Sequence, residues 1–206
     1  MSAERSTLRE WSLTLLAVCI AGLSQTAFGQ NAEKLAAQLC ATCHGVSGRS
    51  ESPMFPRLDA QTPPYLEAQL KGFRNHARGE SDARAYMWGI ASQLDDGTIS
   101  ALAEYYGHQN APPGAAGAHD QMAMGKDIFE HGVAAQGVPA CAACHGPHAE
   151  GNGTFPRLAG QHQAYLLRQI EVFKAGTRAN APMMSAVAHT LTDIQAKAVA
   201  AYLQSQ

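Results

Sequence analysis

The sequence predicts an all-α fold of two tandem, homologous domains, and three observations carry that prediction. The 206-residue chain repeats itself at an offset close to 100. Its apolar residues recur at helical spacing, with no convincing alternating strand run. One Pro- and Gly-rich stretch separates the two copies.

The first element is a leader. Arg5 and Arg9 precede an apolar run from Leu13 to Leu23, and Ala27-Phe28-Gly29 supplies small residues for cleavage before Gln30. The run is short for a membrane span, so residues 1–29 read as a signal peptide, with an uncleaved anchor as the alternative. Cleavage removes Arg5, Arg9, Glu4 and Glu10, so the formal charge of -2 is unchanged. Domain one then spans 30–109, a linker 110–117, and domain two 118–206. Inside the halves, Leu66, Leu70 and Phe73 fall at i, i+4 and i+7, as do Leu166, Ile170 and Phe173. Ile99, Leu102, Ala103 and Tyr106 stripe the last helix of domain one, and Ile194, Ala198 and Tyr202 share a face of the last helix of domain two. Asp95 is the expected N-cap of the former, and Thr192 with Gln195 a capping box for the latter. Met122 and Met124 are expected to face the interhelix core.

Composition excludes some functions. Lys plus Arg is 15 against 17 acidic residues, and no basic run stands out. That balance offers nothing to a nucleic acid or to an anionic membrane surface. Helical domains of this size bury little apolar surface, so something must fill each centre.

The repeated motif says what. Cys40-Ala41-Thr42-Cys43-His44-Gly45 recurs as Cys141-Ala142-Ala143-Cys144-His145-Gly146. Cys-x-x-Cys-His is the attachment signature of c-type haem. Two thiols one helical turn apart each add to a vinyl group, and the adjacent imidazole binds iron. A zinc site would place its cysteine pairs far closer than the 97 residues between Cys43 and Cys141. A redox dithiol needs no following His. Every cysteine outside the leader is used, so two covalently bound haem c groups are expected, with His44 and His145 as proximal ligands.

A sixth ligand should recur in both halves, after the motif and before the last helix. Met87 and Met184 do so, each followed by Ala at +4 and Leu at +7. Met183 is the neighbouring rival, but it aligns with Tyr86. Met54 reads as filler or a loop residue. The seven other histidines (His76, His108, His119, His131, His148, His162, His189) show no repeat correspondence. Phe55-Pro56-Arg57-Leu58 recurs as Phe155-Pro156-Arg157-Leu158. The Pro56 and Pro156 carbonyls are candidates to accept from the proximal imidazoles, or the prolines only shape the loop. Arg57 and Arg157 either contact haem propionates or are solvated.

The ordered pattern of Cys-x-x-Cys-His-Gly, Phe-Pro-x-Leu, Gln161, Tyr165-Leu166, Gln169, then Met184, Ala188, Leu191 and Tyr202 resembles the cytochrome c4 family. The resemblance covers essentially the whole chain after the leader. Asp59-Ala60-Gln61 and Thr62-Pro63-Pro64 depart from the pattern that Ala159-Gly160-Gln161 keeps. It implies two tandem class I cytochrome c domains, each wrapped around one His/Met haem, in a periplasm of Gram-negative type. It implies a soluble electron carrier between a quinol-oxidising complex and a terminal oxidase, or one serving a dehydrogenase. A permanent dehydrogenase subunit is the second reading, with Trp88 as a candidate docking anchor or, alternatively, haem-pocket packing. A dihaem enzyme with an open iron is the third, and the repeated methionines oppose it. Membrane contact is expected only through membrane-bound partners or an uncleaved leader.

Overall fold

The computed structural model describes residues 31–111, 114–115 and 119–206. The expected leader, residues 1–29, lies outside the described residues, as does much of the expected linker. The architecture is two small all-α domains joined side by side, with only isolated β-bridges among the described residues, Val133 to Val138 and Asn152 to Phe155.

In domain one, α1 (31–44) runs straight into the Cys-x-x-Cys-His motif, through a π-helical turn at Ala36–Cys40 and an α-helical turn at Ala41–His44. Helix α2 (Pro63–Arg74) starts with two prolines, whose fixed φ suits a first turn that has no N–H to lose. Helix α3 (81–91) carries a π turn at Ala83–Met87 before Trp88–Ala91. Helix α4 (Asp96–Gly107) is capped by Asp95, which accepts from the Thr98 N–H at 2.7 Å. Leu66, Leu94, Ile99, Leu102 and Tyr106 form this core, together with Ala32 and Ala36 of α1.

Domain two repeats the plan as α5 (His119–His131), the short α6 (Ala142–His145), α7 (Gln163–Lys174), α8 (Pro182–Ala188) and α9 (Asp193–Gln204). It differs where α5 stops at His131 and the loop closed by the Val133–Val138 bridge precedes the motif. Thr192 and Gln195 form the expected capping box. Gly125 lets α5 and α9 touch: a Cβ there would lie 2.1 Å from the Ala198 carbonyl oxygen. Phe129, Ile128, Val199, Tyr202 and Leu203 fill the core around that crossing.

Two expectations fail on the outer faces. Met124 is 45% exposed, and Ile194 is 69% exposed while Ala198 and Tyr202 on its helix are buried. Both sit on the solvent side of their helices, because the Gly125 crossing sets the rotation of α5 and α9 and brings Phe129 and Tyr202 inward. Met122 does pack against the core. Met54 lies exposed on its loop.

Candidate haem-binding sites

Each site is built by a helix that ends on its histidine. Gly45 and Gly146 follow with φ of 75° and 84°, a turn that a side chain would obstruct. A Cβ on Gly45 would meet the Arg49 carbonyl oxygen at 2.3 Å. The turn folds the Phe-Pro-Arg-Leu loop back beneath the histidine. His44 Nδ1 lies 2.9 Å from the Pro56 carbonyl oxygen, and His145 Nδ1 lies 2.9 Å from that of Pro156. A carbonyl only accepts, so each Nδ1 carries the proton and each Nε2 keeps its lone pair. Burial holds both imidazoles below their ordinary pKa, against the opposing pull of the carbonyl bond. Phe55 and Phe155 pack edge-on at 6.1 and 6.2 Å between ring centroids.

The four motif cysteines are half-buried and form no disulfide. Burial pushes the Cys40 thiol up, and that of Cys141 to about 11. Met87 is half-buried against the cluster of Phe73, Ala83 and Ala91, on which Trp88 also packs. Met184 is half-buried, whereas its neighbour Met183 is 60% exposed. Trp88 is itself half-buried: its indole N–H donates to the Arg78 carbonyl at 2.8 Å, and His76 stacks on it at 3.8 Å. Arg74 donates to the Leu94 carbonyl and Lys174 to that of Leu191. Each ties the loop after the methionine back to α2 or α7.

The two sites meet at a pseudo-symmetric polar interface that periodicity did not reveal. Gln61 donates to the Arg157 carbonyl at 2.9 Å and accepts from its N–H at 2.7 Å. Gln161 does the same to Arg57, at 3.0 Å for both bonds. Deeper in, Arg78 and Arg178 share Gln69 and Gln169 across the boundary, and Arg178 also donates to the Tyr65 hydroxyl at 2.8 Å. The signal for these residues was the recurrence of Arg78 at Arg178 and of Gln61 at Gln161, both offset by 100. His162 Nε2 lies 2.8 Å from the Ser50 carbonyl, adding a contact with no counterpart from the other half at Thr62.

These residues fit haem c. In each half two cysteines one turn apart precede an imidazole whose Nδ1 is taken by a proline carbonyl, so that Nε2 is the nitrogen with a lone pair to give to iron. The Nε atoms of Arg57 and Arg157 are buried without a hydrogen-bond partner, which suits a cofactor that carries carboxylates.

The family model for cytochrome c matches residues 29–109 and again 122–206. Cytochrome c4 of Pseudomonas aeruginosa is 33% identical over 195 residues, covering 92% of this chain and 94% of that one. The thiosulfate dehydrogenase electron acceptor of Thiomonas intermedia is 38% identical over 178 residues, covering 81% and 78%. The solved structure of Acidithiobacillus ferrooxidans cytochrome c4 superposes with a TM-score of 0.76 at 43% identity, covering 81% of this chain and 98% of that one. Two motif-bearing helical domains, two copies of one site and these likenesses converge. The chain belongs to the cytochrome c4 family, a dihaem c-type cytochrome that carries electrons between redox partners in the periplasm and is not an enzyme.

Proposed function

We propose that the chain shuttles single electrons through two His/Met haems, with His44 and Met87 on one iron and His145 and Met184 on the other. Cys40, Cys43, Cys141 and Cys144 tether the rings. Each haem, when bound, supplies a one-electron iron couple. The protein supplies the rest. The Pro56 and Pro156 carbonyls orient the imidazoles and raise their basicity. Met87 and Met184 would each supply a thioether ligand, which raises the potential. Were the histidine and the methionine both to hold the iron, no position on it would remain for a substrate.

The observation that carries this reading is the repeated buried imidazole, whose Nδ1 lies 2.9 Å from a proline carbonyl in both halves. Residues 1–29 act as a cleaved export signal in this reading. The donor is a quinol-oxidising complex and the acceptor a terminal oxidase. A second reading, dedicated service to a sulfur-oxidising dehydrogenase, is favoured by the Thiomonas intermedia relative and its name. Co-purification with a larger dehydrogenase would select it.

Low-temperature EPR with near-infrared magnetic circular dichroism tests the ligands. Two His/Met signatures are expected, one lost in Met87→Ala, the other in Met184→Ala, and neither in Met183→Ala. A high-spin or bis-His haem in the wild-type holoprotein would overturn the assignment.

A further inference from the structure

The interface that joins the domains is nearly symmetric in its residues and unequal in its charge. Arg78 and Arg178 correspond, are 4% and 3% exposed, and lie over Phe73 and Phe173 at 4.3 and 4.8 Å from the ring centroids. Their partners differ. Glu80, 3% exposed, accepts from Arg78 Nε at 2.8 Å and from Arg78 Nη2 as well. The corresponding residue in domain two is Asn180, which donates to Gln69. Arg178 bonds only neutral acceptors, Gln169, Gln69 and Tyr65, and its Nε has no partner. Domain one therefore closes its buried guanidinium into a hydrogen-bonded ion pair, whereas the guanidinium of domain two is held by neutral acceptors and feels Glu80 only through space.

The second buried acid, Asp59, replaces Ala159 and lies 3.6 Å from Arg57 and 3.9 Å from Arg49. It is unchanged in Glu80→Gln, Asn180→Glu and Glu104→Gln and so contributes nothing to a shift between them. Glu80 is hydrogen-bonded to Arg78 alone. It also stands close to the methionine side of domain one. The Arg78 carbonyl receives the Trp88 indole N–H, and Phe73 under the Arg78 guanidinium belongs to the same apolar cluster as Met87.

Reduction adds one electron to a ferric haem and removes one unit of positive charge. A buried anion nearby favours the ferric form, and a buried cation favours the ferrous form. Neither is screened by salt as a surface charge would be. We propose that Glu80 makes the two haem sites electrostatically unequal by neutralising Arg78, so lowering the potential of the domain-one haem relative to that of domain two. The proposal rests on one haem per domain and not on the identity of the sixth ligand.

The test is a spectroelectrochemical titration of the holoprotein with two one-electron waves. Trp88 is the single tryptophan beyond the leader, so its indole proton, followed by NMR, assigns the domain-one wave. Glu80→Gln is expected to raise the domain-one wave and leave the other nearly in place. Asn180→Glu is expected to lower the domain-two wave. Glu104→Gln, an exposed change on α4, is expected to move neither. Waves that keep their separation in Glu80→Gln, with both haem spectra intact, would overturn the proposal, as would equal movement of both waves. If Glu80→Gln loses haem, Asn180→Glu decides, and an unmoved domain-two wave overturns it. A wild-type spectrum without methionine ligation would overturn the ligand assignment alone, because the charge acts through space whatever the sixth ligand is.

Discussion

Gln161→Ala cuts one of the two symmetric ties between the domains. The side chain is 6% exposed and makes three bonds: it donates to the Arg57 carbonyl, and it accepts from the Arg57 and His162 N–H groups, each at 3.0 Å. Truncation leaves both backbone groups of Arg57 without partners inside the interface. Each orphaned group costs about 1–3 kcal/mol, and water can reach one side of the small cavity there, so the expected loss is about 2–4 kcal/mol. Gln61→Ala removes the matching pair from Arg157 and should cost a similar amount. The assay is urea unfolding of the holoprotein, followed by Soret absorbance and far-ultraviolet circular dichroism. The double variant should show the domains unfolding in separate transitions, because the exchange is one of the ties that makes them a unit. A loss below about 0.5 kcal/mol in both single variants would refute the reasoning, since it would mean that the backbone groups find equivalent partners in water.

Three other outcomes follow from the packing and the charges. Gly125→Ala would press a Cβ against the Ala198 carbonyl at 2.1 Å and against Tyr202 Cβ at 2.7 Å. The α5–α9 crossing must open, so stability should fall by about 3 kcal/mol or more, read from thermal melts; a neutral change would sink the close-approach argument. Asp59 is buried with only long contacts to Arg57 and Arg49, at 3.6 and 3.9 Å. Burial outweighs the arginines Arg57, Arg49 and Arg157 and raises its pKa above the ordinary carboxylate value. A raised acid binds its proton more tightly in the folded state, so the native chain loses stability as pH rises from the unfolded value through the folded one. Asp59→Asn should therefore match wild type near pH 3 and exceed it at pH 7 in urea midpoint; a variant weaker at pH 7 would show that the arginines dominate. In the ligand series, Met87→Ala and Met184→Ala should each abolish one methionine-to-iron band, and loss in Met183→Ala of the band expected to depend on Met184 would reverse the choice between neighbours.

Much of this protein was legible from residue order, because its main determinants are local. The Cys-x-x-Cys-His spacing is a property of one helical turn, and the Thr192–Gln195 box and the Asp95 cap act within four residues. The duplication placed the two halves and their matching methionines without any structure. What helical periodicity could not supply was rotation. Ile194 shares a stripe with Ala198 and Tyr202, and Met124 is expected to face the core beside Met122, yet the contact of Gly125 with Ala198 turns both Ile194 and Met124 outward.

The sequence by itself determined two helical halves, each with a haem motif and a repeated methionine, since each rests on neighbours in the chain. Only the tertiary structure decided how the halves meet. The Gln61–Arg157 and Gln161–Arg57 exchanges join residues 96 and 104 positions apart. The pairing of Glu80 with Arg78, against an Arg178 held by neutral acceptors, has meaning only once both are buried in one interface. A charge exposed to water is screened to little effect, and the same charge enclosed by two packed domains acts on everything near it. Burial is a property of the folded pair, so no local pattern could carry it.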